Sequence, residues 1–177
     1  MERELAATLE SLHPDAFGWA LHCCGGDPGR AEDVLQNAYH KVVAERARFD
    51  GRSAFKTWWF GVIRFTAMED HRRERFRASL LGKLLSAFTE EHHPAPSRLM
   101  ELDERAAQLR AALSQLPARQ AETLHLVFYQ DLTLNEAAQV MRVSLGSVRQ
   151  HYERGKARLR ELLQPDSNHE GRLEASL

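Results

Sequence analysis

Only two cysteines occur in the 177-residue chain, and they are neighbours, Cys23 and Cys24. Adjacent cysteines rarely bridge, because the small ring strains the peptide bond between them, so a disulfide framework is excluded. Nowhere does an apolar run approach the roughly 18 residues needed to cross a bilayer. The opening stretch MERELAATLESLHPDAF carries acids where a secretory leader needs a basic start and an apolar centre. A cytoplasmic location, with no membrane insertion, is the expectation. Strand-like alternation is missing over any useful length. A nucleophile–base pairing and a glycine-rich phosphate loop are missing too, which argues against an enzyme. His13 and His22 lie near the cysteine pair, and His92 and His93 form a second pair. Their spacing matches no common zinc pattern, and Cys23 and Cys24 are expected to be small buried thiols, with no metal and no cofactor.

What is present is a folded, helix-forming chain: 43% hydrophobic and 28% charged residues, with formal net charge -1. That total hides a pattern. Residues 1–53 are net acidic, with six bases against nine acids. Residues 54–80 carry six bases against three acids, and residues 116–163 seven against five. The cations therefore fall in two separated blocks, which points to an anionic partner held at two places.

Helical periodicity runs almost throughout. A first helix is expected before the His13–Pro14 pair and a second from Pro14 to Cys24, with proline in its first turn. A third, from about Pro28 to Arg46, should bury Val34, Leu35, Ala38 and Val42 and expose Asp33, Gln36, Asn37 and His40. The RFDGRS stretch is a turn, followed by a long helix from about Ala54 to Arg77. Residues 79–97 predict a linker: the first half could form a short apolar helix through Leu80, Leu81, Leu84, Leu85 and Phe88, and the second half is acidic and then proline-rich. The last 14 residues predict a disordered tail. The expected fold class is all-α: two small helical domains, 1–78 and 98–163, joined by a flexible linker at 79–97 and followed by the tail at 164–177. The second domain should be a helix-turn-helix.

That expectation rests on LTLNEAAQVMRVSLGSVRQHYERGKARL. Thr133 and Glu136 make a capping box that starts a short helix. Ala137, Ala138, Val140 and Met141 give it an apolar face, and Ser144 can cap the helix after a tight turn. Ala138 is the small residue that close helix crossing requires, with Val148 at the matching core position. On the second helix Val148, Tyr152, Gly155, Leu159 and Leu162 form one stripe. Arg149, Lys156 and Arg160 edge it on one side, Arg154 and Arg158 on the other. Such a helix suits a major groove: the cations meet phosphates, while Ser147, Gln150 and Arg149 reach base edges. A solvated amphipathic helix with i,i+4 ion pairs is the bland alternative, and the capping box and tight turn argue against it.

The long helix repeats the theme. Phe55, Trp59, Val62 and Thr66 form the expected core stripe. Lys56, Phe60, Arg64, His71 and Arg75 line the other side, and Arg72, Arg73 and Arg77 add charge beyond. An exposed ring among cations suits a single nucleic-acid strand, the ring for stacking and the cations for phosphates.

In this order the segments resemble the extracytoplasmic-function sigma factors of bacterial RNA polymerase, from about Pro14 to Leu163. AEDVLQNAYHKVV is similar to the family's first conserved helices. FKTWWFGVIRFTAMEDHRR is similar to its -10 reading helix, and LPARQAETLHLVFYQDLTLNEAAQVMRVSLGSVRQHYERGKARLREL to its -35 reading domain. The resemblance implies a promoter-specificity subunit with sigma region 2 in the first domain and region 4 in the second. Asp33, Gln36 and Asn37 would dock to core RNA polymerase. Lys56, Phe60, Arg64, His71, Arg72 and Arg75 would bind the -10 strand of promoter DNA, and Ser147, Arg149, Gln150, Arg154, Lys156 and Arg158 the -35 element. The linker, with Glu90 and Glu91, would thread toward the RNA exit path, and an anti-sigma factor would hold the protein inactive. A sigma-like decoy that binds an anti-sigma factor without DNA is the alternative. Departures from the family pattern are Phe65 in place of asparagine, Glu69 in place of aspartate and Arg142 in place of glycine; Ala121 and Val127 replace common basic residues.

Overall fold

The computed structural model describes residues 2–84 and 104–164, and among these all regular structure is helical. α1 spans Glu2–Ser11, α2 His13–Cys23, α3 Pro28–Val43 and α4 Phe55–Leu84; α5 spans Glu104–Ser114, α6 Ala118–Phe128, α7 Leu134–Met141 and α8 Leu145–Leu163. Local chemistry sets the helix starts. Pro14 sits in the first turn of α2, where its missing N–H costs nothing. At α3 the Asp27 carboxylate accepts from the Arg30 amide at 3.1 Å, with Pro28 behind it. The turn before α4 passes through Gly51 at φ 73°, a backbone conformation that glycine adopts without penalty.

α2, α3 and α4 pack around Trp19, Val34, Leu35, Ala38, Trp59 and Ile63, all buried. The Trp19 indole N–H donates to the Phe60 carbonyl at 3.0 Å, which pins α2 to the middle of α4. α6, α7 and α8 pack around Leu124, Leu126, Val140, Met141 and Val148. Gly155 is the close-approach point of α8 on α6: a Cβ there would stand 3.2 Å from both Gln120 Cβ and Leu124 Cδ1.

Two expectations change here. α4 continues to Leu84, so residues 79–84 of the expected linker are helix. The rest of that segment, with Glu90 and Glu91, and the tail from 165 onward lie outside the described residues. The second change is larger. The two units pack on each other, α7 against α4 and α6 against α2, and residues of both belong to one buried apolar cluster. The Asp33, Gln36, Asn37 and His40 face of α3 is exposed, as expected from its periodicity.

Candidate nucleic-acid interface and the junction that covers part of it

The helix-turn-helix forms as the spacing requires. Thr133 Oγ1 accepts from the Glu136 amide at 3.3 Å, and a Glu136 carboxylate oxygen accepts from the Thr133 amide at 2.9 Å. The Thr133 hydroxyl also donates to that carboxylate at 2.7 Å, and this bond, followed by the one from the amide, holds the Glu136 carboxyl below its ordinary range. Arg142 closes α7 in the left-handed region at φ 54° and ψ 48°, a backbone strain of about 1 kcal/mol for a residue with a Cβ. Ser144 then caps α8, its Oγ accepting from the Ser147 amide at 3.1 Å. Ala138 and Val148 are buried at the crossing.

On α8, Arg149, Gln150, Arg154 and Arg158 are exposed and Lys156 is half-buried, its ammonium 4.7 Å over the Tyr152 ring. Ser147 is half-buried and its hydroxyl pairs with that of Ser144 at 2.9 Å, so it belongs to the cap as well as to the candidate reading face. Arg158 reaches Glu161 at 3.1 Å, a solvent-exposed pair that water and salt weaken. An exposed cationic surface therefore projects opposite the buried stripe.

The candidate -10 face is different, and the expectation for it needs correcting. Phe60 is not an exposed ring: its exposure is 0%, and it stacks near Trp19 at 6.0 Å between centroids with Lys56 5.4 Å above it. Arg64 is 8% exposed, its guanidinium forked onto the Glu122 carboxylate of α6. Lys56 pairs with Asp15 at 2.8 Å. His71 contacts Arg30 Nη2 at 3.2 Å and the Cys23 carbonyl at 3.0 Å. Arg72 and Arg75 remain exposed. The physical reason is that α4 is covered on two sides: α2 and α3 take one face and α7 the other, with Glu122 of α6 reaching Arg64. The core stripe shifts accordingly. Thr57, Trp59, Phe60, Ile63, Thr66 and Ala67 are buried, whereas Phe55 and Val62 are only half-buried.

Several residues of this junction carried no signal for the contacts they make across it. Glu122 binds Arg64 and, at 3.1 Å, the exposed Arg119. Glu136 reaches Thr57 across the junction at 3.5 Å, and Gln130 Nε2 donates to the Asp15 carbonyl at 3.4 Å. His22 and His125 stack at 4.3 Å between ring centroids, with Trp19 5.4 Å from each. Burial lowers the His22 value, against the pull of Glu122, and lowers His125 to about 3, with His22 acting the same way. A cavity of about 170 Å³ opens beside them, lined by His22, Cys23, Arg64, His71 and Glu122 among others. Phe65 and Arg142, two departures from the family pattern, meet here: the guanidinium lies 5.5 Å over the ring, and Lys41 5.3 Å away on the same ring. The third departure, Glu69, pairs with that lysine at 2.5 Å. Burial raises both thiols, Cys23 strongly and Cys24 to about 11, so in this setting they stay protonated.

A second cavity of about 410 Å³ lies between α2 and α3, lined by His13, Phe17, Glu32, Leu35, Gln36 and Tyr39. Of the three candidate polymerase-docking residues, Gln36 borders it and Asp33 and Asn37 are exposed on the same helix.

Comparison with known proteins gives two family matches in chain order: Sigma-70 region 2 over residues 8–77 and Sigma-70, region 4 over residues 112–161. The ECF RNA polymerase sigma factor SigX of Bacillus subtilis is 26% identical over 167 residues, covering 91% of this chain and 84% of that protein. The RNA polymerase sigma-H factor of Pseudomonas aeruginosa is 29% identical over 147 residues, covering 78% and 76%. Among solved structures, the sigma factor RpoE in complex with the anti-sigma factor NepR from Bartonella quintana shares the fold. It has a TM-score of 0.69 and 24% identity over 93% of this chain and 99% of that one. CnrH in complex with the cytosolic domain of CnrY has a TM-score of 0.62 and 22% identity, over 94% and 92%. Two matched regions in their family order, each built on the helices described above, lead to one conclusion: the chain belongs to the sigma-70 family and is an RNA polymerase sigma factor of the extracytoplasmic-function type.

Proposed function

We propose that the chain directs core RNA polymerase to promoters by gripping DNA at two places, without chemistry of its own. α8 enters the major groove of the -35 element, with Arg149, Gln150 and Ser147 toward base edges and Arg154, Lys156 and Arg158 toward phosphates. The observation that carries this reading is the exposed cationic surface of α8, opposite its buried stripe and behind a capped, tight turn. Lys56, Phe60, Arg64, His71, Arg72 and Arg75 serve the -10 strand once α4 is uncovered. Asp33, Gln36 and Asn37 dock to polymerase, and an anti-sigma factor holds the packed form. The protein acts in the cytoplasm, at the nucleoid; among the described residues no helix is long and apolar enough to cross a membrane.

Burial of Phe60 and Arg64 favours a second reading, a decoy that binds an anti-sigma factor and never DNA. Run-off transcription with bacterial core polymerase on genomic fragments separates the two. Initiation at specific promoters, weakened by Arg149→Ala and Arg154→Ala without loss of folding, supports the first. Failure at every promoter together with tight anti-sigma binding supports the decoy. Each lost phosphate contact should also lower the salt dependence of -35 binding by about one unit of slope.

A further inference from the structure

Promoter reading gives no task to the paired histidines in the junction. His22 projects from α2 and His125 from α6, so each belongs to a different unit, and their rings stack at 4.3 Å. Trp19 covers one side and Tyr129 stacks on His125 at 5.2 Å. Gln130 Nε2 lies 3.3 Å from His125 Nε2. A neutral imidazole nitrogen can accept that amide hydrogen, and a protonated one cannot. Two imidazolium rings at this distance would repel each other with little water between them. We propose that the His22–His125 stack is an acid-sensitive latch: with both rings neutral it holds the two helical units together, and protonation of the pair opens the molecule and uncovers α4.

The surroundings leave the sign of the effect unchanged. Facing the pair are Cys23 on α2, Arg64 and His71 on α4, and Glu122 and Tyr129 from the α6 side. Arg30 and Asp70 stand behind His71. Glu122 alone favours a proton on His22, and its carboxylate is already engaged by Arg64 and Arg119. For a group whose value is lower in the closed form than in the open form, closure is fully favoured above the open value. It is lost as pH falls below that value toward the closed one. The open value is the ordinary 6.5, and His125 is held at about 3 when closed. Between pH 7.5 and 5.5 His125 alone should shift the equilibrium toward opening about tenfold. His22 acts in the same direction.

The test uses the full chain, without DNA, so it stands or falls separately from promoter reading. Small-angle X-ray scattering is followed from pH 7.5 to 5.0 with far-ultraviolet circular dichroism in parallel, on wild type and on His22→Gln/His125→Phe. The ring protons of His22 and His125 are followed by NMR in the wild type. The expected result is a radius of gyration that rises below about pH 6 with helicity retained, ring signals that titrate in step with the expansion, and a double variant that stays compact. A wild type that stays compact to pH 5.0, or rings that titrate without any change in size, would overturn the proposal. So would helicity lost together with compactness. If the double variant does not fold, the coupling of ring titration to expansion in the wild type decides alone.

Discussion

Glu122→Ala probes the junction most directly, because among the described residues Glu122 pairs with Arg64, the buried cation proposed above for the -10 strand. The Arg64 and Glu122 side chains are 10% and 14% exposed, and two bonds join them. Removing one member of a fully buried pair costs about 3–5 kcal/mol, chiefly because the other charge stays buried and unpaired. With the residual exposure here, about 2–3 kcal/mol is a fair figure, and opening relieves it by returning Arg64 to water. The closed form should therefore lose about 30- to 150-fold in population relative to the open form. Two measurements follow. The radius of gyration of the free protein should increase at neutral pH. The apparent affinity for a single-stranded -10 oligonucleotide should rise at least tenfold, because binding no longer waits on a rare open form, while -35 duplex binding through α8 stays within about twofold. Arg119→Ala is the control: it removes a bond to the same carboxylate, but from an exposed partner, and should cost under about 1 kcal/mol and leave both readouts unchanged. A Glu122→Ala protein as compact as wild type, with unaltered -10 affinity, would refute the idea that this pair holds the units together.

Three further outcomes are expected. Gly155→Val should lower stability by about 2 kcal/mol in thermal melts, since its side chain must enter the 3.2 Å gap against Gln120 and Leu124. Thr133→Ala should cost about 1 kcal/mol through loss of the α7 cap, seen in denaturant titrations at neutral pH. Glu136 is held below its ordinary value of 4.5 in the folded protein, so its contribution is present above that pH and lost as pH falls through the lowered folded value. Melting temperature measured from pH 6 to 3 should therefore drop less steeply in Glu136→Gln than in wild type.

Much of the C-terminal unit was legible because its information is local. A capping box needs two residues three apart, an N-cap needs one, and an amphipathic stripe repeats every 3.6 residues. Thr133, Glu136, Ser144, Ala138 and Val148 all stand where that arithmetic puts them. The burial of Phe60 and Arg64 was missed for the opposite reason. A helical wheel places Phe60 and Arg64 together but is silent on what lies over them. An aromatic on an otherwise polar face was the available sign that a second element covers it. Glu122 and His125 gave no sign at all, and His22 was noted only for its place beside the cysteines, since a lone acid or histidine on a helix most often faces solvent or a satisfied core.

The sequence by itself determined the helices, their caps, the helix-turn-helix and the sigma-family order of its segments, because each depends on residues within a turn or two of one another. Only the tertiary structure decided that the two units meet. Their contact depends on pairs 58 and 79 residues apart, Arg64 with Glu122 and Thr57 with Glu136, and on rings brought together from α2 and α6. Burial is a property of what comes to rest on a surface, and no periodicity along α4 records that.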